Sequence, residues 1–249
     1  MEWVPEFYHK QYEWADWRNR WAGFDPATAE PHVDAVRRLA GAGPKRILEL
    51  GPGTGSTAAA LAHAGHDVVT IELQAMLAEH IAELAGVVEG GSLRSLAGDF
   101  YSVDPGGPFD VVAYFDGFGI GSDEEQRRLL RRVGGWLTAD GCGLIDVLTP
   151  WYFAKTAGDE EEFPEGSGVH YREGFDAEGS RMTEQMWRAG DEPDVVMQSL
   201  RCYSPADLRL LLEGTDLALA GIEPYADQWY GEPVAIEDAM VYLAKLTRR

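Results

Sequence analysis

Between residues 46 and 148 the chain alternates short apolar runs with segments of helical character. The runs are rich in valine, isoleucine and leucine, as in buried strands, and the intervening segments carry apolar residues at the spacing of one helix face. Alternation of this kind with short connections predicts a parallel, doubly wound sheet with right-handed crossovers. The sequence therefore predicts an α/β fold.

The elements of this region can be read directly from the sequence. The predicted strands are KRILEL, HDVVTIEL, LRSLAGDF, FDVVAYFD and GCGLIDVL. The predicted helices are STAAALAHAG, QAMLAEHIAELAG and SDEEQRRLLRRVGGWL, and Ser122 is the expected N-cap of the last.

The two flanks of this region have a different character. Residues 1–43 predict an N-terminal helical cap, with an aromatic-rich helix over 5–22 and a second helix that begins after Asp25. Residues 150–203 predict a small antiparallel insertion after the fifth strand, with the strands GVHYREGFD, SRMTEQMWRAG and DVVMQSLRCYS. A helix and two further strands follow, and we expect residues 1–249 to form a single domain. The insertion is the natural region to cover a substrate.

Composition excludes several classes of function. The chain has 249 residues, a formal net charge of −21 and a pI near 4.5, so we expect no binding to nucleic acid, which requires clustered positive charge. No basic leader and no apolar stretch of membrane-spanning length is visible, so we expect a cytoplasmic protein that binds no membrane. Cys142 and Cys202 lie far apart, which predicts buried thiols and no metal site. A homodimer is compatible with this composition.

The connection between the first strand and the following helix contains three glycines in five residues. They are Gly51, Gly53 and Gly55, in the stretch GPGTGS. Glycine tolerates positive φ and lets a ligand approach the backbone closely. In open parallel sheets, ligands bind outside the carboxyl ends of the strands, where this loop is expected. A dinucleotide fingerprint would need a glycine where Ser56 stands.

Three acidic residues narrow the choice of ligand. Glu49, just before the loop, would repel a pyrophosphate but can accept a hydrogen bond from an amino group. Glu72, at the end of the next strand, can accept from both ribose hydroxyls of an adenosine. Asp99 can accept from the adenine amino group, with Phe100 beside the ring. An amine, a ribose and an adenine without phosphates describe S-adenosylmethionine, although each acid alone is also compatible with a solvated or turn-capping residue.

Taken together, these motifs resemble the class I S-adenosylmethionine-dependent methyltransferases. The matching residues are LELGPGTG at 48–55, Glu72, GDF at 98–100 and FDVVAYFDGFG at 109–119. The resemblance covers roughly residues 30–150, and two final strands fit at 215–248. It implies a Rossmann-like methyltransferase fold: a seven-stranded, mostly parallel sheet with an N-terminal helical lid and a small antiparallel insertion after strand five.

The resemblance also implies which residues hold the cofactor. The glycine loop would lie under the methionine portion, Glu72 would hold the ribose, and Asp116 with Gly117 would close the site beside the sulfonium. The residues assigned to the cofactor on this basis are Glu49, Gly51, Pro52, Gly53, Gly55, Glu72, Leu73, Gly98, Asp99, Phe100, Asp116 and Gly117. The segment after the fourth strand looks most like that of small-molecule N- and O-methyltransferases, which implies a small-molecule acceptor.

The N-terminal helix supplies one more cofactor candidate. Tyr8 and Tyr12 form an i, i+4 pair with polar tips. Many small-molecule methyltransferases of this resemblance use such a helix as a lid, so Tyr12 is expected to contact the cofactor. A second set of aromatic residues at helical spacing would share one face and pack on the scaffold: Phe7, Trp14, Trp17 and Trp21.

Methyl transfer by in-line displacement requires alignment and the exclusion of water, and a hydroxyl or ammonium acceptor must also lose a proton. His170, in the insertion, is the first candidate for the base, and a solvated strand histidine is its alternative. Asp116 is the second candidate. Aromatic residues of TPWYFAK and ADQWYGEP predict either an acceptor pocket or core packing.

Other functions on the same fold remain open at this point. A protein that binds S-adenosylmethionine without methyl transfer is one, and an aminopropyl transferase is another. No obvious run of acidic residues for a polyamine directly follows the fourth strand, which disfavours aminopropyl transfer. Ser56 and Glu49 disfavour a dehydrogenase.

Overall fold

The computed structural model of the protein describes residues 3–190 and 194–249. Short 3₁₀ turns at Pro26–Ala29 and Ile236–Asp238 accompany the helices and strands. In chain order these are α1 (Trp3–Trp14), α2 (Trp17–Arg20), α3 (Glu30–Ala40), β1 (Arg46–Leu50), α4 (Ser56–His63), β2 (Asp67–Glu72), α5 (Ala75–Leu84), β3 (Ser92–Ala97), β4 (Phe109–Tyr114), α6 (Asp123–Trp136), β5 (Leu137–Leu148), α7 (Pro150–Thr156), β6 (Glu160–Glu162), β7 (Val169–Asp176), β8 (Arg181–Arg188), β9 (Val196–Arg201), α8 (Pro205–Leu211), β10 (Leu217–Tyr225) and β11 (Val241–Arg248).

The main sheet has seven strands in the order β10-β11-β5-β4-β1-β2-β3. Strands β1 to β5 pair in parallel, and β11 runs antiparallel to both β5 and β10. The strand order reverses between β1 and β4, so the loops that follow these two strands border the crevice in which open α/β sheets bind ligands. The predicted doubly wound, mostly parallel sheet is confirmed.

The strands of this sheet are buried on both faces, which explains why they read as continuous apolar runs. Successive residues of β1 enter opposite sides of the core. Ile47 joins the cluster that packs against α3 and α4, and Leu48 joins the cluster that packs against α6 and α8. The helix α6 begins at the predicted N-cap, where Ser122 and Glu125 form a capping box.

A second, antiparallel sheet with the order β6-β7-β8-β9 follows strand five. Three of its strands match the predicted insertion. The fourth, β6, consists of three exposed glutamates, which no apolar pattern could reveal. The helix α1 packs on this sheet, and a third hydrophobic cluster joins the two: Phe7, Val169, Tyr171, Met186 and Val196.

The N-terminal helix is shorter than the sequence predicts. It breaks after α1, where Asp16 adopts a left-handed conformation with φ 50°, and the short helix α2 begins at the next residue. The four aromatic residues expected on one face are therefore divided. Phe7 packs into the second sheet, whereas the Trp17 ring packs edge-on against His80 of α5 with centroids 5.0 Å apart.

Both cysteines are buried free thiols, as predicted. Among the described residues, no helix combines the length and apolar character that a membrane span needs. The same residues contain no group of three or more histidine, cysteine, aspartate or glutamate side chains that could hold a metal ion.

Candidate active site

The glycine loop between β1 and α4 forms the floor of the site. Gly51, Gly53 and Gly55 have φ values of 58°, 58° and 81°, a region that only glycine enters without strain. A Cβ atom on Gly55 would collide with the side chain of Ile81. The loop therefore needs glycine both for its backbone conformation and for its close packing against α5.

Tyr12 of α1 reaches over this loop. A Cβ atom on Gly53 would collide with the Tyr12 hydroxyl group, so the bare glycine backbone lies directly against the tip of the tyrosine. Burial raises the pKa of Tyr12, and the negative charges of Glu72 and Asp116 raise it further. The structure thus brings the predicted lid residue to the predicted cofactor loop.

Two buried carboxyl groups lie beside the loop. Glu72 accepts hydrogen bonds from the backbone N–H groups of Gly53 at 3.1 Å and Gln74 at 2.8 Å. Burial raises the pKa of Glu72 to about 7. Glu49 is only 2% exposed, and its Oε2 atom has no hydrogen-bond partner among the described residues. Burial and then the charge of Glu72 raise the pKa of Glu49 to about 8. An unpartnered buried carboxyl oxygen is costly, and an ammonium group would satisfy it.

The region predicted to surround the adenine is more open. Leu73, next to Glu72, is 41% exposed although it is a large apolar residue. Gly98 donates its backbone N–H to the Glu72 carbonyl at 2.8 Å, which places the loop after β3 beside the end of β2. Asp99 accepts a hydrogen bond from the Tyr101 N–H at 2.7 Å and so also caps a turn. The Phe100 ring leans edge-on against Tyr114 at 5.6 Å.

Asp116 follows β4 on the other side of the crevice. It has a positive φ of 48°, and its backbone N–H donates to Asp146 Oδ2 at 3.2 Å. Its side chain is exposed, yet surrounding protein raises its pKa through burial. The Asp116 charge also acts on Tyr8 and Glu184, and the cavity is the solvent-accessible space that these three side chains border. A Cβ atom on the adjacent Gly117 would collide with the Tyr114 ring.

The second sheet forms the opposite wall of this cavity. Tyr8 donates its hydroxyl to Gln198 Oε1 at 3.3 Å, and Gln198 Nε2 donates to Glu184 at 2.9 Å. Burial raises the pKa of Glu184 to about 7, and the charge of Asp116 adds to the shift. The cross-strand partner of Glu184 is Glu173, whose Oε2 atom is buried without a hydrogen-bond partner among the described residues.

Sequence reasoning missed Glu184, Gln198 and Asp146. A signal for Glu184 was present, since it stands between Met182 and Met186 on the buried side of β8. A strand that places an acid between two buried methionines indicates a polar site under that face. Gln198 and Asp146 gave no comparable local signal.

The structure does not bring His170 to the cavity. Side chains alternate along a strand, so His170 lies on the opposite face of β7 from Tyr171, which contacts Phe7 in the third cluster. On that outer face its ring stacks on Trp187 with centroids 5.5 Å apart. The placement of His170 gives no support to its predicted role as the base, and of the two candidates only Asp116 lies at the cavity.

The two aromatic stretches predicted to form an acceptor pocket are also divided. Phe153 of α7 is buried in the core, and Trp229 is 62% exposed. Tyr230 is buried, and its hydroxyl donates to Asp146 Oδ1. Core packing is therefore the better description of Phe153, and Tyr230 contacts the site through Asp146.

Comparison with known proteins shows which family the central region resembles. Residues 47–141, from β1 into β5, match the family model described as a methyltransferase domain. This region contains the glycine loop, Glu72 and Asp116. No protein of curated function matches this chain in sequence.

Solved methyltransferase structures share the architecture of this chain over nearly its whole length. The CcbJ methyltransferase from Streptomyces caelestis superposes with a TM-score of 0.73 at 22% identity, covering 94% of this chain and 95% of that one. An S-adenosylmethionine-dependent methyltransferase from Clostridium acetobutylicum ATCC 824 gives a TM-score of 0.71 at 14% identity, with 98% of both chains covered. The glycopeptide N-methyltransferase MtfA complexed with sinefungin gives 0.61 at 17% identity, covering 94% of this chain and 90% of that one. At these identities the likeness shows the fold.

Proposed function

We propose that this protein transfers the methyl group of S-adenosylmethionine to a nitrogen atom of a small-molecule amine. The observation that carries the proposal is a pair of acidic side chains between the end of β4 and the second sheet. Asp116 and Glu184 lie close enough that the charge of Asp116 raises the pKa of Glu184. In the described part of the chain, no lysine or arginine forms an ion pair with either residue.

The cofactor site follows from the residues of the crevice. Gly51 to Gly55, with Pro52 in the loop, leave the backbone bare for the methionine portion, and the unpartnered Glu49 oxygen fits its ammonium group. Glu72 has a buried carboxylate at the end of β2, where it can accept hydrogen bonds from the ribose hydroxyls. Leu73, Gly98, Asp99 and Phe100 border the place for the adenine, and Tyr12 covers the loop.

When bound, S-adenosylmethionine supplies a methyl group already activated by its sulfonium charge. The tasks left to this chain are to align the acceptor, exclude water and accept a proton. Tyr12 covers the glycine loop. Asp116, next to Gly117, and Glu184 attract an ammonium group from two sides. A carboxylate with a pKa near 7, as in Glu184, is matched to accept the proton that the amine must lose before transfer at neutral pH.

The fold alone does not choose the acceptor atom. Its structural relatives include the glycopeptide N-methyltransferase MtfA and the mitomycin 7-O-methyltransferase MmcR, the latter at a TM-score of 0.55. The acidic side chains favour nitrogen, because an amine enters as a cation and is attracted by both carboxylates, whereas a neutral alcohol gains only a hydrogen bond.

The proposal is tested with matched acceptors. Purified enzyme and methyl-labelled S-adenosylmethionine are incubated with amines and alcohols of the same carbon skeleton, beginning with benzylamine and benzyl alcohol, and product is identified by mass spectrometry. We expect methyl incorporation into amines. Glu184→Gln should lower kcat/KM for the amines by about 10²-fold or more, while S-adenosylhomocysteine affinity stays unchanged.

A matched control is Glu178→Gln, which changes an exposed carboxylate in the β7–β8 turn and should leave kcat/KM as it is. Methylation of the alcohols but not of the amines would overturn the assignment of nitrogen.

A further inference from the structure

Asp146 lies at the centre of a hydrogen-bonded link behind the cavity. It is 2% exposed and stands on β5, where the neighbouring residue Ile145 pairs with Tyr114 of β4. One oxygen, Oδ2, accepts from the Asp116 backbone N–H at 3.2 Å, and the other, Oδ1, accepts from the Tyr230 hydroxyl. Both carboxyl oxygens thus accept hydrogen bonds from within the protein, and the side chain is almost fully buried.

Tyr230 is held in place by a stack of rings. Its ring stacks on His32 of α3 at a centroid distance of 4.3 Å and on Tyr225 at 4.7 Å, with interplanar angles of 29° and 14°. It also meets the ring of Phe115 edge-on at 6.2 Å. Phe115 directly precedes Asp116 in sequence. Tyr230 therefore fixes the end of β4 twice, once through Phe115 and once through Asp146.

This link acts on a backbone that needs support. Asp116 has a φ of 48°, a conformation that a non-glycine residue keeps only when its surroundings impose it. The hydrogen bond from its N–H to Asp146 is the backbone contact that holds this conformation, and the direction of the Asp116 side chain into the cavity depends on it.

We infer that Asp146 and Tyr230 are positioning residues, which set the orientation of the Asp116 carboxylate toward the methyl acceptor. This inference rests on the proposed role of Asp116 in binding the acceptor. It also assigns a function to the connection between β10 and β11, because that connection carries Tyr230. Cofactor binding should be spared, since neither side chain contacts the glycine loop, Glu49 or Glu72 by a hydrogen bond.

The experiment compares Tyr230→Phe and Asp146→Asn with Tyr225→Phe. Tyr230→Phe keeps the stacked ring and removes only the hydroxyl that binds Asp146. Tyr225→Phe removes a hydroxyl from the same stack, but one that pairs with Glu223 and Arg38, and so serves as the control. Hydrogen exchange of the Asp116 amide is measured by NMR, and S-adenosylhomocysteine affinity is measured by calorimetry. The values of kcat and KM are determined with the amine that the wild-type enzyme methylates best in the matched panel.

We expect Asp116 amide exchange to be about 10- to 100-fold faster in Asp146→Asn and in Tyr230→Phe, because the hydrogen bond from this amide to the Asp146 carboxyl group is weakened or lost. The value of kcat/KM for the amine should fall about tenfold in both variants through misplacement of the acceptor, with S-adenosylhomocysteine affinity unchanged. Tyr225→Phe should match the wild type in all three measurements.

Unchanged Asp116 exchange in both variants would overturn the inference, as would the same acceleration in Tyr225→Phe. Equal losses of S-adenosylhomocysteine and amine binding would overturn it too, because they indicate a general structural role. The exchange measurement needs no turnover. A wild-type enzyme that methylates no amine would therefore contradict the proposed function, while the amide of Asp116 would still decide the role of Asp146.

Discussion

Glu72 shows how one side chain can shape a loop and bind a ligand. Its two oxygens accept from the N–H groups of Gly53 and Gln74, so the carboxylate fixes the glycine loop relative to the end of β2. A carboxylate has about four lone-pair positions, which leaves acceptor capacity for two ribose hydroxyls. The conformation of the loop and the binding of the ribose therefore depend on the same group.

Glu72→Ala should weaken S-adenosylmethionine binding by about 2–3 kcal/mol, because hydrogen bonds to a charged group contribute about that much. Titration calorimetry measures the change. Glu79→Ala, which removes an exposed carboxylate from the neighbouring helix α5, is the control and should bind as the wild type does. Equal affinity in both variants would remove Glu72 from the cofactor site.

At this scale the sequence predicted one side of the site and not the other. Gly53 and Glu72 could be found because their roles depend on the strand ends that they follow, and strand ends are visible in the local pattern. Glu184 and Asp146 could not, because they stand inside strands and depend on partners far along the chain. Asp146, for example, meets Tyr230 across 84 positions.

At the scale of elements, α1 is attached to two different layers. Its apolar side packs on the second sheet through Phe7, and its polar side reaches the main sheet, where Gln74 Nε2 donates to the Pro5 carbonyl at 2.8 Å and Tyr12 meets Gly53. The side toward the main sheet contains few apolar contacts. It is therefore the side expected to open when the cofactor enters.

Amides of α1 should exchange quickly in the free enzyme and slow markedly with saturating S-adenosylhomocysteine, as measured by hydrogen-exchange mass spectrometry. Tyr12→Ala should raise the dissociation constant without lowering the Tm of the free protein, since its hydroxyl contacts a loop rather than the core. The contrary result would be a helix already protected without ligand and unaffected by it, which would make α1 a fixed part of the core.

The strands of the main sheet and the helices beside it were predictable because the apolar residues of each follow a strand or helix pattern within that element alone. The break at Asp16 was not, because no glycine or proline marks it. It arises from tertiary packing: residues before it face the second sheet, and Trp17 after it faces α5. A continuous helix could not satisfy both surfaces. Local helical spacing therefore predicted one helix where the fold requires two.

At the scale of the whole molecule, the buried acids give folding a pH dependence. Burial raises the pKa of Glu49 to about 8 and the pKa values of Glu72, Asp146 and Glu184 to about 7. In the unfolded chain such groups ionise near about pH 4. The folded state therefore keeps protons that the unfolded state releases, and stability is lost as the pH rises toward 8. His32, whose pKa burial lowers to about 4, opposes this trend only below about pH 6.5.

The Tm of the ligand-free enzyme should therefore fall between pH 6.5 and 8.5 at constant ionic strength, as measured by scanning calorimetry. Glu49 alone, 2% exposed, contributes up to about 1.4 kcal/mol per pH unit while it is protonated only in the folded state. Glu49→Gln should flatten the profile. A Tm that rises over this range would contradict the raised pKa values.

The cluster that joins α1 to the second sheet has a consequence for the engineering of acceptor specificity. Phe7 inserts among Val169, Tyr171, Met186 and Val196, apart from the two clusters of the main sheet. A graft that replaced only the insertion would leave the apolar side of α1 facing a surface to which it is not complementary. A chimera should therefore take the second sheet and α1 from the same parent. It should also keep the contacts of Met182 and Leu200, which join the second sheet to the main-sheet cluster.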